Sequence, residues 1–185
     1  MSVQEIIEYG KKVMREETYK NFFGSIRAGE IIMHLYNDIL NKGGGLSIYD
    51  LAINKLKVSQ RSYPVVLKTV KSLEKQCYLI IEKTKKGERR VDICKLTDKG
   101  LIYSVTLSTI YDMLGDKSFQ QELKNIRNKE SFIEFNNFLY EYMKERFEVL
   151  KKNGIISNAQ VALYSSFMLS LMMFMIPFLV FKFEE

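Results

Sequence analysis

Residues 62–100 read SYPVVLKTVKSLEKQCYLIIEKTKKGERRVDICKLTDKG, and the hydrophobic period changes partway through. From Pro64 to Gln76, the residues Val66, Leu67, Val70 and Leu73 recur at helical intervals, which predicts an amphipathic helix with these four packed inside. Pro64 suits its first turn, where a missing N–H costs no hydrogen bond, and Ser62 stands in front as a candidate cap. From Tyr78 the pattern turns β-like. YLIIEKT and RVDICKL, the latter alternating through Val91 and Ile93 to Leu96 after Lys95, predict a β-hairpin with a longer loop, KKGER, centred on Gly87. Thr97 can then cap a helix DKGLIYSVTLSTIYDML that Gly115 ends.

Working outward toward the N-terminus, residues 3–23 predict an amphipathic helix carrying Ile6, Ile7, Val13, Met14, Phe22 and Phe23. Gly24-Ser25 breaks it, and a second helix over about 26–41 follows with Ile32, Leu35, Tyr36, Ile39 and Leu40 on one side. Gly43-Gly44-Gly45 stops that helix. The three glycines lack a Gly-Lys-Ser/Thr ending and a preceding strand, so they do not make a phosphate loop. Ser47 with Asp50 predicts the capped start of a short helix, IYDLAINKL, and KVSQRSY is the turn before Pro64. Toward the C-terminus, Ser118 with Gln121 predicts the cap of one short helix. A longer one carries Phe132, Phe135, Leu139, Tyr142, Met143, Phe147 and Leu150 in a stripe, and Asn153-Gly154 closes it. Ser157 with Gln160 caps the last helix.

The order helix, turn, helix, hairpin, helix is that of a winged helix-turn-helix. The segment VVLKTVKSLEKQCYLI resembles the recognition helix and exit of MarR-type regulators. ERRVDICKLTDKG is similar to their wing, where an acidic residue and two arginines (Glu88, Arg89, Arg90) precede a Leu-Thr-x-x-Gly made here by Leu96, Thr97 and Gly100. PadR-type regulators share that ending, so both families stay open. The resemblance covers roughly residues 26–114. It departs at Cys77, where the family has a helix-ending glycine, and at Glu88, where it has aspartate. It implies a mainly α fold with a small β-hairpin wing, flanking dimerisation helices, duplex DNA as partner, and a homodimer.

The residues support the same reading without the family. The outward face and N-terminal end of the 64–76 helix offer Gln60, Arg61, Ser62, Tyr63, Lys68, Lys71 and Lys75. A helix of that width enters the major groove, where Gln and Arg read base edges and Lys binds phosphate. Tyr63 stacks on a base or closes the helix start. The hairpin adds Lys83, Lys85, Lys86, Arg89 and Arg90, suited to phosphates or a narrow minor groove. Over the whole chain 28 Lys+Arg stand against 22 Asp+Glu, a net charge of +6 that points to an anionic partner. No nucleophile, carboxylate pair or metal spacing suggests catalysis, and no metal or cofactor is expected. Cys77 and Cys94, far from a C-x-x-C, read as two buried free thiols, and His34 as an ordinary helix residue. Whether a small-molecule effector exists is open.

One segment contrasts with all of this. VALYSSFMLSLMMFMIPFLVF, residues 161–181, carries no charge. As a helix it would be about 31 Å long at 1.5 Å per residue, against about 30 Å for a hydrocarbon layer. It predicts a transmembrane span, with Lys144, Arg146, Lys151 and Lys152 before it holding the DNA-binding part in the cytoplasm. The N-terminal MSVQEIIEYGKK lacks the order of a signal peptide. The expected organisation is a dimerising N-terminal helix over 1–23, a DNA-binding domain over 24–115, packing and dimerisation helices over 116–154, and the hydrophobic tail over 155–185. Two competing readings remain: a soluble MarR-like dimer whose tail completes its core, and a winged-helix adaptor that grips a protein.

Overall fold

The structure is a computed structural model that describes residues 15–17, 19–86, 89–126, 129–166 and 170. It is mostly helical with one small three-stranded antiparallel sheet, and the chain divides into two units, Met1–Ser104 and Val105–Glu185.

In the first unit, residues 15–17 and 19–23 are helical, and the rest of the expected N-terminal helix lies outside the described residues. Gly24, at φ +79°, breaks the chain, and Ser25 accepts the N–H of Ala28 (3.1 Å) to cap helix α1, Ile26–Leu40. Its inner face is Ala28, Ile31, Ile32, Leu35 and Tyr36, with Ile39 half-buried and Leu40 exposed. The triple glycine does not end α1 as expected. Lys42 does, at φ +58°, with its N–H on Ile39 O (2.9 Å) and that of Gly43 on Asp38 O (2.8 Å). This is a Schellman cap whose left-handed position is held by a lysine.

Strand β1, Leu46–Ser47, was not anticipated, and it pairs antiparallel with Cys94 and Ile93. Ser47 then behaves as its pattern predicts: its hydroxyl accepts the Asp50 N–H (2.9 Å) and donates to the Asp50 carboxylate (2.6 Å). The helical turn it opens is π-wound over Asp50–Lys55, with Leu56 N–H on Leu51 O at 2.9 Å. A 3-10 turn, Gln60–Ser62, leads into helix α2, Tyr63–Lys75.

Strands β2, Leu79–Lys86, and β3, Arg89–Leu96, form the hairpin in sheet order β1-β3-β2. The longer loop is overturned: the ladder runs out to Lys86 opposite Arg89, leaving only residues 87 and 88 between the strands. The ladder also corrects the phase of the alternation. Leu79 and Cys94 are buried and share a face with half-buried Ile81 and Leu96, whereas Val91 and Ile93 lie on the other face. Helix α3, Asp98–Gly115, starts in this unit. A cluster of Phe23, Tyr78 and Tyr103 closes its core, with ring centroids 5.2 Å apart for Phe23–Tyr78 and 5.4 Å for Tyr78–Tyr103.

The second unit holds the rest of α3, helix α4, Lys117–Lys124, helix α5, Lys129–Lys152, and a helix from residue 158 on. Ser118 does not cap α4. Asp116 does, accepting both the N–H (2.7 Å) and the hydroxyl (2.6 Å) of Ser118, because a carboxylate two residues upstream reaches the free N–H first. On α5, Phe135, Leu139, Met143, Phe147 and Leu150 are buried, and Tyr142 is half-buried. Gly154 (φ +71°) ends the helix, and Ser157 and Gln160 exchange both capping-box hydrogen bonds, at 2.7 and 3.3 Å.

Of the hydrophobic tail, only its opening lies among the described residues, and among these no helix is long and apolar enough to cross a membrane. That opening packs inside its own unit: Tyr164 is 1% exposed, its ring 6.3 Å from that of Phe147. Ser166 and Ser170 give their hydroxyls to carbonyls one turn back, at 3.0 and 2.9 Å.

Candidate nucleic-acid interface

Helix α2 is the element on which the candidate site is built. Val66, Val70 and Leu73 are buried and anchor it, whereas Leu67, expected among them, is only half-buried. Ser62 makes no capping bond, because the chain enters α2 already wound in the 3-10 turn; its hydroxyl lies 3.3 Å from that of Ser59 instead. Away from the anchoring stripe, Gln60, Arg61, Lys68, Lys71 and Lys75 are all exposed, while Ser62 and Tyr63 are half-buried.

The far end of α2 explains the Leu-Thr-x-x-Gly motif. Cys77 sits at φ +60°, its N–H on Glu74 O (2.9 Å), and Tyr78 N–H reaches Leu73 O (3.0 Å), a second Schellman cap. The start of α3 fastens this cap. Thr97 donates its hydroxyl to Cys77 O (2.6 Å) and accepts the Gly100 N–H (3.1 Å), and Lys99 donates to Gln76 O (2.9 Å) while lying 4.2 Å from the Tyr78 ring centre. Gly100 passes so close that a Cβ there would stand 2.0 Å from Tyr78 O. One threonine therefore caps α3 and holds the end of α2 in place.

In the hairpin, the inner face of the ladder turns from apolar to charged as it leaves the core. Lys83 pairs with Asp92 and Lys85 with Arg90, all four exposed. The last rung sets Lys86 opposite Arg89; the direction of those two side chains lies outside the described residues. The Lys85–Arg90 rung thus opposes like charges, which destabilises a hairpin unless an anion lies nearby.

Some cations have carboxylate partners: Lys20 with Glu17 (2.6 Å), Lys151 with Glu148 (2.9 Å), Arg146 with Asp112 and, at the core end of the hairpin, Lys95 with Glu82 (2.6 Å). Among the described residues, none of Arg61, Lys68, Lys71, Lys75, Lys85 and Arg90 has one. The arrangement is an exposed helix face and a hairpin end, both cationic and uncompensated, in one unit.

Three other groups show no sign of chemistry. Burial pushes the Cys94 thiol up to about 12, with Glu74 and Asp92 adding to it, so it stays protonated and inert. Cys77, expected to be buried, is exposed, because the cap turns it outward. Burial holds His34 below its ordinary value, with Lys55 adding to the effect against Glu30, so the imidazole is neutral near pH 7. Among the described residues no cluster of His, Cys, Asp and Glu could hold a metal. Two shallow clefts of about 260 and 310 Å³ flank α1, one against α2 and one under Gly43–Gly45.

Sequence reasoning passed over Lys57, which stands exposed at φ +53° in the turn before α2, and Val65, exposed on α2 itself. Val65 could have been found, since it falls off the buried stripe at helical spacing. The left-handed turn at Lys57 carries no glycine or asparagine to signal it. Comparison of this chain with family models, curated proteins and solved structures yields no match.

Proposed function

We propose that the chain is a sequence-specific, duplex-DNA-binding transcriptional regulator built as a winged helix-turn-helix and resembling MarR-type proteins. Helix α2 is its reading helix, with Gln60 and Arg61 for base edges and Lys68, Lys71 and Lys75 for phosphates. The β2–β3 hairpin, with Lys85, Lys86, Arg89 and Arg90, is its wing. The observation that carries this reading is the set of exposed cations, Arg61, Lys68, Lys71 and Lys75 on α2 and Lys85 and Arg90 on the hairpin, that have no carboxylate partner among the described residues. A solvated basic face would gain from such partners, whereas a phosphate-binding face must keep them away.

The regulator acts as a homodimer. Ile133, Tyr140 and Val149 on α5 remain exposed beside a helix stripe already buried within its own unit, which supports pairing through this helix. The tail tethers it to a membrane. The length and apolarity of 161–181 support this, as do Ser166 and Ser170, whose hydroxyls are satisfied within their own helix and need no water. The buried Tyr164 favours a second reading, in which the tail completes a protein core.

The test is binding of the full chain to duplex DNA over a salt series. Wild type should lose affinity steeply with salt, and a Lys85→Ala, Arg90→Ala variant should flatten the slope by about 2. An unchanged slope would remove the hairpin from the interface. No binding even in dilute buffer would leave the protein-gripping adaptor as the better reading.

A further inference from the structure

We infer that Val65 reads the 5-methyl group of a thymine in the major groove, so that the preferred duplex contains a thymine whose methyl group, not its hydrogen-bonding edge, is recognised. This rests on α2 being the DNA-reading helix.

Val65 is 52% exposed although its neighbour Val66 is completely buried. On the helix it lies roughly one turn before Lys68, and Arg61 stands in the 3-10 turn that leads into the helix, both exposed and cationic, so a surface that neutralises these two passes beside Val65. Among the described residues Val65 is not part of the buried core, and a β-branched residue at an exposed helical position is less favourable than Ala, Lys or Glu.

The nearest hydroxyl on the helix, that of Thr69, is already committed. Thr69 gives its own to the Val65 carbonyl (2.9 Å), and Ser72 accepts from the Gln76 side chain (3.1 Å). The central outer turn of α2 thus offers cations and one bare isopropyl group. Among base edges in the major groove, the thymine methyl is the apolar feature, and cytosine lacks it. Flanking cations complement the phosphates on either side, which settles the occupant as duplex DNA in preference to an apolar protein surface.

The test begins by selecting duplexes from a random library with the full chain. Each thymidine of the selected duplex is then replaced singly by deoxyuridine, which removes only the methyl group and leaves every hydrogen bond. Wild type should lose about fourfold in affinity at one position or its symmetry mate, the worth of one buried methyl group. Val65→Ala should bind the selected duplex more weakly and be indifferent to deoxyuridine at that position, with its thermal melt retained. If wild type tolerates every replacement, or if Val65→Ala loses as much as wild type, the assignment is overturned while DNA binding stands. If no duplex is enriched, the DNA-binding reading falls and this inference with it.

Discussion

Cys77 and Lys42 are two of the residues at which this chain departs from the usual chemistry of its own turns. Each stands in the left-handed region, at φ +60° and +58°, at the end of a helix where glycine is the ordinary choice. A residue with a Cβ costs about 1–2 kcal/mol there. Glycine would instead cost about 0.4–1 kcal/mol through the freedom it adds to the unfolded chain. The first term is larger, and Cys77 is exposed, so little packing is lost. Cys77→Gly should therefore raise stability by about 0.5–1 kcal/mol, read as a higher thermal midpoint. A lower midpoint would mean that the thiol itself makes a contact worth keeping. The position of this turn was legible in the sequence, because the family resemblance marks a left-handed residue there. The role of Thr97 was legible only as a cap. That its hydroxyl also reaches back 20 residues to Cys77 O depends on α2 and α3 meeting end to end.

At the level of the element, the proposed function makes the hairpin a compromise between folding and binding. Its buried half, Leu79 and Cys94 with Ile81 and Leu96, holds the ladder in register. Its exposed half sets Lys85 against Arg90. Like charges directly opposite are unfavourable, and opposite charges contribute roughly 0.2–1 kcal/mol. Arg90→Glu should therefore stabilise the free protein by up to about 1 kcal/mol, seen in slower amide exchange along β2 and β3, while weakening DNA binding. Amide exchange that speeds up would show that the repulsion is already relieved within the chain. Helix α2 shows the same division of labour. Its stripe of Val66, Val70 and Leu73 was readable from spacing, but its entry was not. A 3-10 turn displaced Ser62 from the capping role, since it holds Ser62 in helical backbone (φ −91°, ψ −4°) instead of the extended conformation of an N-cap.

For the molecule as a whole, the hydrophobic tail decides where the proposed regulator would work. A span of 161–181 should keep the full chain in the membrane pellet after an alkaline wash, since a helix in hydrocarbon is not released by loss of charge contacts. Release into the supernatant would sink the tether and favour the tail as part of a protein core, an outcome already foreshadowed by Tyr164 against Phe147. Either result leaves the proposed DNA-binding role untouched, because the cations of α2 and the hairpin belong to the first unit and the tail to the second.

By itself the amino-acid sequence determined the order of the helices and the hairpin, most of the inward stripes of α1, α2 and α5, the capping pairs Ser47–Asp50 and Ser157–Gln160, and the cationic character of α2 and the hairpin. All of these are local, set by periodicity and by side chains within four residues of the groups they serve. Only the tertiary structure decided that β1 joins the sheet, that Cys77 faces outward, that Gly100 is required by the carbonyl of Tyr78, and which lysines have carboxylate partners. Each of these is a meeting between residues distant in the chain, and spacing along a sequence carries no information about where two such residues come together.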